Sequence, residues 1–371
     1  MKILIALDKF KASLSATQAV ASLAQGIQKK YPTAILTNQA MADGGDGSID
    51  LLHEQESFTE HHVEVHDPLF RKIKATYFSN QTDAFIEMAK ASGLALLTTA
   101  ERNPMETTSL GTGELILDAF HKGFKNINLF IGGSATNDGG IGIAQALGFN
   151  VLDKNQNQLR PIGKNLSNIQ HLQSTPLSKQ IANLNIRLLC DVNNPFCGVK
   201  GAAQVYARQK GATPTMVNQL DQGLAQLALI FTKERGIEIG QMSGAGAAGG
   251  IGGGMVALFG AQLISGVQFF VERFDLEAKI KEADVVISGE GQLDLQSLQG
   301  KVVGGILQLC LRHQKPLIVV CGQSTLPLPV NGIQTIKTIM DYAPSVAIAM
   351  QKADHFLQTI GAQLNFPFTI K

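Results

Sequence analysis

The chain has 371 residues, more than one hydrophobic core usually supports, so its length predicts two domains. Lys and Arg number 31 against 30 Asp and Glu, and a net charge of +1 without a basic block argues against a nucleic-acid partner. Charged residues make up only 16% of the chain, which indicates surface buried between lobes or subunits and is consistent with a homodimer.

The chain begins with an apolar run at residues 3–7 that predicts a buried strand. Asp8, Lys9 and Lys11 follow this run at once, so the segment lacks the apolar core of a secretory signal, and a cytoplasmic location is expected. The cysteines form no CxxC pair, which favours reduced thiols over a zinc site or a disulfide framework. They are Cys190, Cys197, Cys310 and Cys321.

Short apolar runs, separated by helical patterns, recur at both ends of the chain. Continuous apolar runs are typical of parallel strands that are covered on both faces. The runs are Ile3 to Leu7, Ala34 to Gln39, Val285 to Ser288, Leu317 to Cys321 and Ile333 to Ile339. Helical patterns at Ser15 to Lys30 and Val302 to Arg312 lie between them, so a doubly wound α/β sheet is predicted.

More than two hundred residues separate the second apolar run, Ala34 to Gln39, from the third, Val285 to Ser288. Both ends of the chain are therefore predicted to form one discontinuous domain. We expect residues 1–58 and 285–371 to form a parallel-sheet α/β domain, with an inserted mixed α/β domain at 59–284. Strand patterns in the insertion occur at Val63 to His66, Ile73 to Phe78, Ala84 to Met88, Ile127 to Ile131 and Ile186 to Cys190. A helix is predicted at Leu110 to Lys122.

The segment from Ile239 to Val271 carries no charged side chain and is long enough to span a bilayer. Its composition argues against a membrane, because eight glycines lie between Gly240 and Gly254. Each glycine costs a helix about 1 kcal/mol relative to alanine. We therefore expect no membrane span.

Loops rich in acids, amides and glycine follow the predicted strands, where open parallel sheets bind their ligands. Each loop alone is weak evidence, because Gly, Asn and Asp are ordinary turn residues. Together they supply carboxylates for a metal and a base, amides for hydroxyl groups and glycine N–H groups for phosphate, which suits phosphoryl transfer. The loops are Asp8 to Lys11, Met41 to Ser48, Gly132 to Gly140, Asp191 to Pro195 and Ser288 to Asp294.

The longest glycine-rich segment, Ser243 to Met255, is not a Walker A loop, because no Gly-Lys-Ser or Gly-Lys-Thr follows it. A Rossmann fingerprint is also a poor match, because a weak strand precedes the segment. Two interpretations stay open. The glycines allow backbone N–H groups to approach an anion, or they allow close packing of a helix against a sheet.

Lysines near the loops are candidates for binding a carboxylate or phosphates. Lys9 and Lys11 follow the first strand, and Lys301 stands at a predicted helix start, where a cation opposes the helix dipole unless an anion lies between. Lys210 is a weaker candidate. The sequence contains no G-x-S-x-G elbow and no H-E-x-x-H helix, so hydrolase and zinc-protease functions lack support.

At these same loops the sequence resembles the bacterial type 1 glycerate kinase family from its first strand to its last. The motifs that carry the resemblance are D-K-F-K at Asp8 to Lys11, M-A-D-G-G-D-G at Met41 to Gly47, T-S-L-G-T-G-E-L-I at Thr108 to Ile116, G-G-S-A-T-N-D-G-G at Gly132 to Gly140, C-D-V-N-N-P at Cys190 to Pro195, Q-K-G-A at Gln209 to Ala212, G-A-G-A-A-G-G at Gly244 to Gly250, and S-G-E-G-Q-L-D at Ser288 to Asp294. The resemblance implies ATP-dependent phosphorylation of D-glycerate, with 2-phosphoglycerate favoured as product. It also implies a flavodoxin-like domain formed by both ends of the chain.

Roles for individual residues follow as hypotheses. Asp191 is predicted to be the base or the orienting carboxylate for the glycerate hydroxyl. Glu290 and Asp294 are predicted to bind Mg²⁺, with Asp43 as the alternative carboxylate. Lys9 and Asp43 complete the predicted catalytic set with Asp191. Predicted substrate contacts are Lys11, Ser134, Thr136, Asn137, Asp138, Asn193 and Asn194. Predicted ATP contacts are Gly244, Gly246, Gly249, Gly250, Gly289 and Lys301.

Two other functions remain open on sequence alone. The first is an NAD(P)-dependent oxidoreductase of a small hydroxy acid that uses the glycine-rich segment for the pyrophosphate. The second is a non-catalytic protein that binds a small acid, against which the abundance of acidic residues in the loops counts.

Overall fold

A computed structural model describes residues 1–45, 47–298, 300–326 and 329–366. The strands are β1 Lys2–Leu7, β2 Ile35–Ala40, β3 Thr59–His66, β4 Lys72–Ser79, β5 Asp83–Glu87, β6 Asn126–Phe130, β7 Phe149–Leu152, β8 His171–Ser174, β9 Asn185–Leu189, β10 Gln262–Ile264, β11 Val285–Gly289, β12 Gln292–Leu293, β13 Leu317–Cys321, β14 Gln323–Ser324 and β15 Ile333–Thr338.

The α-helices are α1 Ala16–Lys30, α2 Ser48–Gln55, α3 Ala89–Ser92, α4 Leu110–His121, α5 Ile141–Ala146, α6 Pro176–Ile181, α7 Ala202–Tyr206, α8 Pro214–Arg235, α9 Ala247–Phe259, α10 Gly266–Arg273, α11 Leu276–Glu282, α12 Val302–Arg312, α13 Val346–Gln351 and α14 Ala353–Gln363. Single 3₁₀ turns occur at Leu94–Leu96, Thr99–Glu101, Gly163–Asn168, Arg208–Lys210, Gln296–Leu298 and Ile339–Asp341.

The chain forms two compact units. The terminal unit comprises Met1–Gln55 and Ser265–Lys371, and the inserted unit comprises Glu56–Ile264. Helices α10 and α11 belong to the terminal unit because they pack against α12, whereas the sequence-based boundary at 284/285 assigned them to the insertion. The division of the chain into independent folding domains stays a prediction.

The terminal unit is built on a five-stranded parallel sheet with the order β15-β13-β11-β1-β2. When only the five strands of this sheet are numbered along the chain, the order is 2-1-3-4-5, which is the flavodoxin-like order, so the predicted α/β class is confirmed. The central strands β1, β11 and β13 are buried along nearly their whole length, as continuous apolar runs require. Each predicted run of this sheet forms a strand, with ends within a residue or so of the prediction.

The inserted unit contains a six-stranded sheet with the order β10-β9-β6-β5-β4-β3. The β3–β4 and β4–β5 pairs are antiparallel, and the other pairs are parallel, so the sheet is mixed. Strand β3 shows alternating exposure, since one face is solvated, whereas β6 and β9 are largely buried. The helix expected at Leu110 to Lys122 is α4.

Much of the glycine-rich segment forms α9 in the inserted unit. Its first turn is interrupted at Ala248–Gly250, where all three residues have positive φ angles. None of the helices in the described part of the chain combines the length and apolar character that crossing a bilayer would require.

Candidate functional site

A cavity of about 660 Å³ lies in the terminal unit, at the carboxyl ends of its strands. Asp8 follows β1 and Glu290 follows β11, and these adjacent strands are the point at which the order of the sheet reverses. Loops diverge at such a point and leave a crevice, which is where open α/β sheets bind ligands. The lining also includes Lys9, Phe10, Lys11, Asp43, Asp294, Lys301, Ile339, Met340, Val346, Ala349, Met350 and Ala353.

Asp8 is a buried acid of this cavity with a strongly raised pKa. Its side chain is only 5% exposed, and its Oδ1 accepts a hydrogen bond from the backbone N–H of Lys9 at 2.6 Å. Burial, together with the charges of Asp43 and Glu290, raises the pKa of Asp8 to about 7, while the hydrogen bond and charge of Lys9 oppose the rise. This carboxyl therefore exchanges its proton near neutral pH.

Glu290 is also buried, and in the described part of the chain its Oε1 has no hydrogen-bond partner. Burial raises the pKa of Glu290, opposed by Ser297 and by the charge of Lys301. A buried, unpaired carboxylate oxygen is costly unless a ligand or cation meets it. The geometry of Glu290 therefore suits the predicted contact with a metal ion.

Two other acids of the cavity contact neighbouring residues. Asp294 Oδ1 accepts from the backbone N–H of Ser297 at 3.0 Å, which holds the turn before α12. Asp43 Oδ1 accepts from the backbone N–H of Gly45 at 3.0 Å. Asp46, in the same predicted loop as Asp43, lies outside the described residues.

The cations predicted to bind anions also reach this cavity. Lys9, Lys11 and Lys301 all line it, and Lys301 is the residue immediately before α12, as expected from the sequence. The structure thus brings together three predicted cations and three predicted acids in the terminal unit. Gly289 ends β11 nearby, but a Cβ there would lie 1.7 Å from the backbone oxygen of Val320, so this glycine serves sheet packing.

In the inserted unit, Asp138 is fully buried and fully hydrogen-bonded. Its Oδ2 accepts from both the backbone N–H and the Oγ of Ser109 at 2.8 Å, and its Oδ1 accepts from the backbone N–H of Gly140 at 3.1 Å. Burial raises the pKa of Asp138, while these hydrogen bonds oppose the rise. Asp138 therefore joins the loop that follows β6 to the start of α4.

Lys210 supports the same loop. Its buried Nζ donates to the Oγ of Ser134 and to the backbone oxygen of Thr136, both at 2.7 Å. Burial lowers the pKa of Lys210 to about 7, and the charge of Asp138 opposes the change. The weaker candidate from the sequence is thus a central contact of this loop.

Thr136 and Asn137 lie fully inside the inserted unit. Thr136 Oγ1 and both amide atoms of Asn137 are buried and have no partner among the residues that the structure describes. The structure brings Ser134, Thr136, Asn137 and Asp138 together as predicted, but it places their side chains in the protein interior. Direct contact with a substrate stays a prediction for all four.

The loop after β9 carries Asp191 on the surface. Asn194 is fixed beside it, since its Nδ2 donates to the backbone oxygen of Lys200 at 2.9 Å and its Oδ1 accepts from Tyr206 Oη at 2.6 Å. Ser243 Oγ donates to the backbone oxygen of Asn193 at 3.4 Å. These contacts fix the backbone around Asp191, which is itself an exposed residue.

The glycerate kinase family model matches residues 3–366. The chain belongs to the glycerate kinase family.

Curated members of the glycerate kinase family align along most of the chain. Glycerate kinase from Haemophilus influenzae is 42% identical over 87% of this chain and 86% of its own length. Glycerate 2-kinase from Escherichia coli is 38% identical over 92% of this chain and 91% of its own length. A crystal structure of a protein assigned as glycerate kinase 2 from Salmonella typhimurium LT2 matches with a TM-score of 0.84 at 37% identity, covering 98% of this chain and 97% of that one.

The glycine-rich segment of this glycerate kinase family member is tightly packed. A Cβ at Gly249 would lie 2.1 Å from the backbone oxygen of Thr136, and one at Gly246 would lie 2.2 Å from that of Pro195. Gly250 is pressed against Phe196, whereas Gly244 has looser neighbours. These contacts support the packing interpretation, and phosphate binding by the four glycines stays a prediction.

The arrangement of the side chains does not by itself identify a metal site. Among the described residues, no group of three or more His, Cys, Asp or Glu side chains is arranged to hold a metal ion. Glu290 and Asp294 therefore stay predicted ligands.

Two residues with evident roles were missing from the predicted site. Asp8 was visible in the sequence as the first acid after the first strand, and Ser109 as a residue beside a helix start. Only the fold shows the like charges around Asp8 and the contact of Ser109 with Asp138.

Proposed function

We propose that this chain transfers the terminal phosphoryl group of ATP to D-glycerate and that the product is 2-phosphoglycerate. The observation that carries the proposal is the match of the family model across residues 3–366. The relative named glycerate 2-kinase, 38% identical over 92% of this chain, supports the choice of hydroxyl group. An NAD(P)-dependent oxidoreductase is not favoured, because the family match covers the same glycine-rich segment.

Mg²⁺ is part of the proposal. Such an ion usually keeps several waters and is bound through one or two carboxylates together with the substrate phosphates, so a cage of three protein acids is not needed. Glu290, with its unpaired Oε1, and Asp294 line the same cavity and fit this pattern. When bound, the ion would neutralise negative charge on the phosphates. Asp43 is the alternative ligand.

In the proposed mechanism, Asp191 accepts the proton of the reacting hydroxyl or orients that hydroxyl. Its exposed position directly beyond β9 supports this role, since a base must reach its substrate. Asn193 and Asn194 would contact the acid substrate from the same loop. Lys9, Lys11 and Lys301 would bind anionic oxygens, because each lines the cavity of the terminal unit.

The buried residues of the Gly132–Gly140 loop have a different proposed role. We assign Asp138 and Lys210 as positioning residues that fix the loop through Ser109, Ser134 and Thr136. Phosphoryl transfer depends mainly on positioning and on stabilisation of charge, so a rigid loop contributes without touching substrate.

A cytoplasmic location and a homodimer complete the proposal. The four cysteines are free thiols, which suits a reducing compartment, and the low share of charged residues supports a subunit interface. Light scattering coupled to size-exclusion chromatography would test the dimer, and a monomer at micromolar concentration would contradict it.

The decisive experiment measures ADP release with D-glycerate, ATP and Mg²⁺, followed by ³¹P NMR of the product. We expect turnover that depends on D-glycerate and a phosphate ester at the oxygen of C2. The matched control replaces D-glycerate with L-glycerate. A phosphate at C3 would overturn the proposed product. Binding of D-glycerate without ADP release in the presence of ATP and Mg²⁺ would instead support a small-acid binding protein.

A further inference from the structure

We infer that the cavity of the terminal unit binds the nucleoside of ATP, with the base lying against one apolar wall. This wall is defined as Ile339, Met340, Val346, Ala349, Met350 and Ala353. The inference rests on the proposed function for the identity of the nucleotide. It assigns the base to residues outside the glycine-rich segment.

The size of the cavity is the first argument. At about 660 Å³ it lies in the range of pockets that enclose cofactor-sized ligands. D-glycerate, a three-carbon acid, would fill only a small part of this volume. A nucleotide occupies a pocket of this size far better.

The lining of the cavity also contains a cationic part and an apolar part, and both match a nucleotide. Lys9, Lys11 and Lys301 provide cationic groups, whereas the apolar wall comes from the segment 339–353. Glycerate has polar groups on every carbon and gains nothing from an apolar wall. A nucleotide joins a flat, largely apolar base to a polyphosphate, and so matches both parts.

Two exposed apolar side chains form the third argument. Val346 is 52% exposed and Met350 is 41% exposed, and they are one helical turn apart on α13. Residues at this spacing share one helix face, and here both line the cavity. A base packed on this face would bury apolar surface that is otherwise in contact with water.

The wall is also held in place before any ligand binds. Ser13 Oγ donates to the backbone oxygen of Met350 at 2.5 Å, which joins α13 to the loop after β1. The start of α13 is capped by Ser345, whose Oγ accepts from the backbone N–H of Ile348 at 3.4 Å. A preformed wall loses less conformational entropy when it binds a ligand.

Photolabelling with 8-azido-ATP in the presence of Mg²⁺ tests the position of the base directly. Trypsin cuts after Lys337 and Lys352, so the peptide Thr338–Lys352 carries nearly the whole apolar wall. The rival glycine-rich segment falls in a separate peptide, Gly236–Arg273. We expect label in Thr338–Lys352 that excess ATP abolishes. ATP-protected label in Gly236–Arg273 instead would overturn the inference.

A binding measurement provides the second test. We expect the double variant Val346→Gln with Met350→Gln to weaken ATP binding about tenfold, because apolar contact with the base is lost. Inorganic tripolyphosphate, which has no base, should bind the variant and the wild type equally. Isothermal titration calorimetry with both ligands and Mg²⁺ distinguishes base contact from phosphate contact.

The matched control is Leu311→Gln on α12, since Leu311 is 47% exposed but is not part of the cavity lining. Unchanged ATP affinity in the double variant, or an equal loss with tripolyphosphate, would contradict the inference. Failure of the proposed function looks different: 8-azido-ATP would label Thr338–Lys352, and ATP would compete, without any glycerate-dependent ADP release.

Discussion

Asp8 in the terminal unit and Asp138 in the inserted unit are both buried acids in loops that follow strands, but their surroundings differ. In the inserted unit, Asp138 is buried in a glycine-flanked loop, and three donor groups from Ser109 and Gly140 hydrogen-bond to its carboxylate. In the terminal unit, Asp8 lies beside Asp43 and Glu290, and burial together with these like charges raises the pKa of Asp8. The carboxylate of Asp138 thus has three hydrogen-bond donors, whereas the carboxyl of Asp8 lies beside two other acids.

The difference shows how a structural acid can be distinguished from a functional one. The donors around Asp138 offset part of the cost of burying its carboxylate, although burial still raises the pKa of Asp138. These donors would lose their acceptor without the carboxylate. Like charges around a carboxyl make its burial costly, and such costs cluster at sites that bind ligands or cations. Asp8 therefore marks the reactive region better than Asp138, although both are buried in loops that follow strands.

The largest expected effect concerns catalysis at an exposed acid. Asp191→Asn should lower kcat by about 10²- to 10⁴-fold, because the amide cannot accept the proton of the hydroxyl. Steady-state kinetics of the coupled ADP assay measure this, and thermal unfolding should be unchanged because Asp191 is exposed. Unchanged turnover would remove Asp191 from the proposed role and leave Asp43 as the candidate.

Removing the buried structural acid should destabilise the chain. Asp138→Ala leaves buried donors on Ser109 and Gly140 without a partner, which should cost about 3–5 kcal/mol of unfolding free energy. Urea denaturation measures the change, with Glu238→Ala, at an exposed position, as the control. A loss below about 1 kcal/mol would mean that Asp138 is not structural.

Asp8 should have the opposite effect on stability. Its folded pKa of about 7 lies above the ordinary value of 3.8, so folding takes up a proton between these values and stability falls as pH rises through this window. Asp8→Asn should therefore raise the unfolding free energy by about 2–4 kcal/mol at about pH 8 without divalent cations. The difference from wild type should vanish near about pH 4, and a gain that does not depend on pH would contradict this explanation.

A matched pair of glycines tests the packing of the inserted unit. Gly249 and Gly236 have almost equal φ angles of 72° and 71°, but only at Gly249 would a Cβ meet backbone, 2.1 Å from the oxygen of Thr136. Gly236→Ala should cost about 1 kcal/mol from its backbone angle, and Gly249→Ala about 2–4 kcal/mol. Equal losses in urea denaturation would show that Gly249 is not tightly packed.

The smallest expected effect is at Ser109. Ser109→Ala removes the Oγ that donates to Asp138 and accepts from the backbone N–H of Ile143, while the backbone N–H of Ser109 still reaches Asp138. We expect a loss of about 1–2 kcal/mol, measured by urea denaturation. A loss as large as that of Asp138→Ala would mean that this hydroxyl alone holds the loop.

Strands and helices were predictable because their signals are local. The apolar runs at Leu317 to Cys321 and Val285 to Ser288 became central strands, and the Ser15 start of α1 forms a capping box with Gln18. The exposure of the predicted substrate residues was not predictable. Thr136 and Asn137 look like ligand contacts in the sequence, yet tertiary packing places both in the interior.

The sequence by itself determined the α/β class, the discontinuous parallel sheet and the family, since hydrophobic periodicity and linked motifs are properties of neighbouring residues. The tertiary structure alone decided which acids share a cavity, which glycines are packed and where the apolar wall lies. These features depend on residues far apart in the chain, such as Asp8 and Glu290. Burial and charge at such positions arise only when the strands that carry them become neighbours.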